Sequence, residues 1–175
     1  MAGPVINIAD LAFRPWGHGS MLPGQKTDAP PQFAARLGAI GARIGAQKLG
    51  YNLTVIPAGK CAFPRHNHHV NEEMFFILEG TGEVRIGDQT YPLRAGDVVA
   101  CPPGGTETAH QILNTGTVEL KFLAVSTMMS PEIADYPDSG KFGVLEFAGS
   151  EPDGRARGSR FIGRRETSRD YWEGE

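Results

Sequence analysis

The 175-residue chain is short of cysteine, of charge imbalance and of long apolar runs, and each shortage narrows what it can be. Two cysteines, Cys61 and Cys101, are too few for a disulfide framework. With no secretion signal ahead of them, they read as reduced thiols. The opening residues, MAGPVINIADLAFRPWGHG, lack a basic start followed by an apolar stretch, so a signal peptide is not expected and a cytoplasm is. No run approaches the roughly 18 apolar residues of a membrane-spanning helix. The formal charge of −3 creates no strong field of either sign, so neither nucleic acid nor a membrane is an expected partner.

Turn chemistry, by contrast, is plentiful. With 23 glycines and 13 prolines the chain favours many tight turns over long helices. An apolar fraction of 40%, with nine Phe and two Trp, suffices for the core of one domain. LGYNLTVIPAG, EMFFILEG, AHQILNTG, VELKFLAVST and KFGVLEF read as strands, and Gly87-Asp88 marks a hairpin inside GEVRIGDQTYPLRAGDVVA. Strands at intervals of about ten residues imply a sandwich or barrel, hence an all-β fold. PQFAARLGAIGARIGAQKLG could be a short helix or edge strands, and its glycines favour strands.

Three segments are expected: an extended arm over 1–35, a barrel over 36–147 and a charged tail over 148–175. Trp16 and Phe13 suggest that the arm packs on the barrel or on a second subunit. In the tail, arginines and acids cancel, which argues for a solvated surface and against a phosphate site. Its closing YWEGE carries two aromatics that can dock onto the barrel.

Three of the five histidines fall in PRHNHHVNEEMFFILEG, residues 64–80. On an extended strand His66 and His68 share a face and His69 points away. Glu73 lies five residues past His68, an offset of the wrong parity unless HVNE forms a turn that resets it. Beyond the turn, Glu73, Phe75 and Ile77 share one side and Met74, Phe76 and Leu78 the other. Both sides are apolar, so the strand is expected to be covered twice. His110 heads a strand about forty residues on. Three imidazoles and a carboxylate form a His₃Glu set suited to a first-row divalent ion: Zn, Fe, Mn, Ni, Co or Cu. Cys61 is close in sequence, but a thiolate would draw zinc or copper. Gly80, Gly87, Gly96 and Gly104 read as turn glycines.

These residues resemble the two signatures of the cupin superfamily. The first is Gly59, His66-x-His68, four residues, Glu73, six residues, Gly80. The second is Gly96, five residues, Pro102-x-Gly104, then His110 and Asn114. The chain departs from the pattern twice: six residues rather than five precede His66, and five rather than two separate Gly104 from His110. The extra residues, GTETA, lengthen a turn that can reshape the pocket mouth. AHQILNTG, LAVSTM and YPDSGK are similar to a group of small single-domain bacterial cupins.

The resemblance implies a double-stranded β-helix (jelly-roll) barrel with the metal in its mouth. Its register makes Glu73, rather than Glu72, the carboxylate ligand. The expected function is metal-assisted: oxygenase, decarboxylase or lyase chemistry on a small carboxylate, phenol or enolisable compound. The alternative is a binding or sensing module for a small acid or sugar. A homodimer that exchanges N-terminal segments is the expected assembly.

Overall fold

The computed structural model describes residues 3–20, 27–151, 153 and 155–175. Along the chain come β1 (Phe13–Gly17), β2 (Ala34–Ala39), a single helical turn α1 (Gly41–Ile44), β3 (Leu49–Ile56), β4 (Asn67–His68) and β5 (Glu73–Glu79). Then follow β6 (Thr81–Ile86), β7 (Gln89–Arg94), β8 (Val98–Cys101), β9 (His110–Leu113) and β10 (Leu120–Thr127). β11 (Glu132–Tyr136), β12 (Lys141–Leu145), β13 (Gly149–Ser150), β14 (Ala156–Arg157) and β15 (Arg160–Gly163) complete the series. Among the described residues no helix is long and apolar enough to cross a membrane.

Six strands in the order β1-β2-β3-β10-β5-β8 form one antiparallel wall. The opposite wall joins the sheet β7-β6-β9 to the sheet β15-β12-β11-β4. Their seam is a pair of backbone hydrogen bonds, His66 N to His110 O at 3.1 Å and His110 N to His66 O at 2.8 Å. The result is the double-stranded β-helix expected from the sequence. Between the walls Ile56, Ile77, Leu120 and Phe122 of the large sheet meet Val84, Leu93 and Ile112 of the small one. Ile77 is fully buried, and such a side chain stabilises the fold by about 1.5–3 kcal/mol.

β5 follows the predicted alternation: Phe75 and Ile77 are buried inside, while Met74, Phe76 and Leu78 are half-buried outside. Leu78 and Leu123 pack with Leu11, Ile40 and Leu53, so the chain's own N-terminal segment covers part of the outer face. Trp16 likewise lies on its own barrel. Its indole Nε1 donates to the Ala62 carbonyl at 3.0 Å, and its ring stands 5.5 Å from Phe63. Residues 1–2 and 21–26 of the expected arm, and 152 and 154 of the tail, lie outside the described residues.

Elsewhere the structure departs from the expectation. The segment 33–50 is a strand followed by the single turn α1, which Gly45 ends in the left-handed conformation. In the tail, β15 adds an edge strand to β12, with Val144 opposite Phe161. The closing aromatics do not dock: Tyr171 is 84% and Trp172 73% exposed. EIADY, which shows no clear alternation to the eye, is β11, and its Glu132 proves central below.

Candidate metal centre

The parity problem between His68 and Glu73 is solved by the turn at 69–72. Glu132 of β11 is almost wholly buried and accepts from the backbone N–H groups of His69 (3.0 Å), Val70 (3.2 Å) and Asn71 (2.8 Å). Its other partners are the Asn71 side-chain amide and its neighbour's N–H on Ile133. This buried carboxylate folds the turn around itself, and the chain re-enters the sheet with Glu73 facing inward. Asn67, pointing the other way from His66 and His68, is fully buried and donates to the Gly104 carbonyl at 2.8 Å.

The four expected ligands come together: the ligand atoms of His66, His68, Glu73 and His110 all lie within 4.8 Å of one another, a grouping that could hold a metal ion. Glu73 Oε2 stands 3.1 Å from His110 Nε2, 3.6 Å from His68 Nε2 and 4.0 Å from His66 Nε2. The far nitrogens are held from behind. His66 Nδ1 is 2.8 Å from the Pro64 carbonyl and His110 Nδ1 is 3.2 Å from the Thr108 carbonyl. A carbonyl only accepts, so each Nδ1 is the donor there and each Nε2 is turned toward the centre. His68 Nδ1 lies 3.5 Å from Glu132 Oε2, too far for a strong bond, and both of its ring nitrogens are buried without a hydrogen-bond partner among the described residues. Buried nitrogens left bare beside a carboxylate, in a set of three imidazoles, fit a divalent transition ion.

The electrostatics agree. Burial pushes the His66 imidazole down to about 4, only partly opposed by Glu73. Burial also works against charge on His68, but Glu132 and Glu73 outweigh it and raise that group to about 9. Glu73 is held far below the ordinary carboxylate range: burial opposes its charge, and His110 and His68 overcome that. Without an ion, one imidazolium has to stand in for it among the three histidines.

Other sequence candidates separate cleanly from the cluster. His69 turns outward to Asp135 at 2.7 Å, His18 is exposed beside Asp28, and Glu72 is exposed. Cys61 and Cys101 are buried free thiols outside the cluster. The lengthened turn 105–109 does not line the cavity over the cluster. It closes on itself, Thr108 Oγ1 donating to the Gly105 carbonyl at 3.0 Å, and aims His110 through the Thr108 carbonyl. Its effect is on the ligand and not on the pocket mouth. Asp138 of YPDSGK bridges Arg65 and Arg85 at 3.2 Å each. Glu132 escaped the sequence reading because a single acid in EIADY carries no spacing signal.

A cavity of about 160 Å³ opens over the four residues. Among the described residues that line it, His66, His68, Glu73 and His110 are the only ionisable ones.

Residues 52–126 match the family model of the cupin domain. The chain carries a cupin domain. Among curated proteins it is similar to an uncharacterised protein of Methanocaldococcus jannaschii, 35% identical over 72 residues, 41% of this chain and 54% of that one. It is similar also to an oxalate-binding protein of Thermotoga maritima, 36% identical over 64 residues, 37% of this chain and 50% of that one. The match thus spans about half the length of either relative. Among solved structures, a sugar phosphate isomerase of the cupin superfamily from Silicibacter pomeroyi superposes with a TM-score of 0.74 at 23% identity, over 94% of this chain and 95% of that one. At that identity the likeness shows the fold alone.

Proposed function

We propose that this cupin holds one divalent transition ion through His66, His68, Glu73 and His110 and binds a small organic ligand on its open coordination positions. The observation that carries the reading is the outward tethering of His66 and His110, which turns their Nε2 atoms to converge on one carboxylate oxygen. The ion would supply Lewis-acid polarisation of a ligand oxygen. The chain's own part is to fix the donors, through Pro64, Thr108 and Glu132, and to wall the site with phenylalanines that exclude water.

The reaction this supports is oxygenase, decarboxylase or lyase chemistry on a small carboxylate, phenol or enolisable compound. A mechanism driven by a separate histidine base is not supported, because the described lining offers no ionisable group beyond the four. That same observation favours one second reading, a module that binds the ligand without turning it over. A homodimer remains part of the proposal. Exchange of the N-terminal segments that cover the outer face of β5, or pairing through the exposed row Ile133, Val144 and Phe161, would build it, and light scattering tests it.

The deciding experiment is metal content after purification without added metal, for the native protein and for His66→Ala and His110→Ala. About one ion per chain, lost in both variants, is expected. Full metal in both variants sinks the reading. Turnover of a bound ligand separates enzyme from binder.

A further inference from the structure

The cavity over the ligand cluster has a charge and polarity balance that selects its occupant. Of its lining residues outside the cluster, Ala62, Phe63, Phe75, Ile112, Phe122 and Ala124 are apolar. Three are polar, and two of these are already committed. Gln111 donates from Nε2 to the Phe63 carbonyl at 2.9 Å and accepts from Arg85 at Oε1 at 3.2 Å. Thr54 donates its hydroxyl to Asn52 Oδ1 at 2.8 Å. That proton has no other acceptor among the described residues, which turns the Asn52 carbonyl toward Thr54 and leaves its Nδ2 donors free.

No Lys or Arg lines the cavity among the described residues. Arg14, whose guanidinium lies 5.3 Å from the Trp16 ring, is outside it, and Arg85 is held behind Gln111 by Asp138. A divalent ion with neutral imidazoles and the Glu73 carboxylate leaves one positive charge. A singly charged ligand neutralises it, and the buried Glu132, one imidazole away, opposes any further negative charge. A doubly charged ligand would therefore bring an uncompensated charge into a mainly apolar cavity, which is costly. A cavity of about 160 Å³ suits a small organic ligand.

Resting on the metal reading above, we propose that the site selects a compact oxygen chelator of at most one negative charge with a short hydrocarbon body, a small 2-oxo monocarboxylate or enolate, and that the Asn52 amide is the specificity-determining donor. Singly charged ligands enter against the phenylalanines, and dianions are rejected. Among the described lining residues Asn52 is the amide with both protons uncommitted.

The test is calorimetric titration of the zinc-loaded protein, with metal content measured before and after. Oxamate and oxalate have nearly the same shape and differ by one charge. 2-Oxobutanoate and glycerate have equal charge and similar size, but only the first has a hydrocarbon end. Oxamate should bind about tenfold or more tighter than oxalate, and 2-oxobutanoate tighter than glycerate. Asn52→Asp keeps an acceptor for Thr54 but replaces the donor with a carboxylate. It should keep its zinc and lose about tenfold or more in 2-oxobutanoate affinity. Oxalate binding as tightly as oxamate, glycerate matching 2-oxobutanoate, unchanged affinity in Asn52→Asp, or no binding of 2-oxobutanoate by zinc-loaded protein would each overturn the ligand class. Failure to hold zinc at all is a different result, visible before any ligand is added, and removes the metal reading together with what rests on it.

Discussion

Glu132 Oε2 lies 3.5 Å from His68 Nδ1 and 2.8 Å from the backbone N–H of Asn71, so one buried carboxylate serves both a candidate ligand and the turn that places the next one. Its acidity is pulled down to about 2: burial opposes the charge, while His68 and the Asn71 N–H more than repay it. Removing the carboxylate strands several buried N–H groups. Glu132→Ala should cost about 3 kcal/mol or more in chemical denaturation. Glu132→Gln keeps the shape, and its metal affinity should fall roughly 10–100-fold. Unchanged affinity in the Gln variant would show that Glu132 serves the turn alone.

Proton competition gives a pH signature. In the metal-free protein His68 stays protonated up to about 9, above the ordinary histidine value, so metal binding must expel that proton at lower pH. Affinity should rise by about tenfold per pH unit toward pH 9 and then level off, measured against a chromophoric chelator. Stability of the metal-free protein runs the other way. The contribution of His68 is fully present below the unfolded value of about 6.5 and is lost as pH rises through about 9. A flat affinity profile would remove the imidazolium from the metal-free cluster.

Two glycines with similar backbones should respond differently to alanine. Gly80 has φ +83°, and a Cβ there would meet the Glu119 carbonyl oxygen at 2.4 Å. Gly59 has φ +72° with nothing within 4 Å. Gly59→Ala should cost about 1–2 kcal/mol for the left-handed backbone alone, and Gly80→Ala clearly more, by urea denaturation. Equal costs would mean that the close approach at Gly80 relaxes freely.

The cysteines should be inert in the folded protein. Burial, with help from Glu73, pushes the Cys101 thiol up to about 12, and burial also raises Cys61. Only the thiolate reacts. Ellman's reagent should find both thiols slowly under native conditions and at once in denaturant. Rapid native labelling of Cys101 would contradict its burial.

The sequence makes the site more legible than its support. His66, His68, Glu73 and His110 are readable because strand alternation and turn glycines at fixed offsets leave a local trace. Gly80, Gly87 and Gly96 indeed take the left-handed backbone, whereas Gly104 does not and is instead crowded by the Thr108 side chain. Strands with apolar alternation, such as β5 and β10, are visible for the same reason. Glu132 and Asp138 are not, since the partners that define their roles lie some fifty or more residues away along the chain. The tail strand β15 is hidden because its side chains stay mostly exposed, so it carries no buried alternation to read.

X-ray absorption of the metal-loaded protein tests the central claim most directly. The account predicts only nitrogen and oxygen neighbours near about 2.0–2.2 Å, with imidazole scattering that diminishes in whatever metal His66→Ala and His110→Ala retain when it is supplied in excess. A sulfur neighbour near about 2.3 Å, or a spectrum that neither substitution alters, would contradict it.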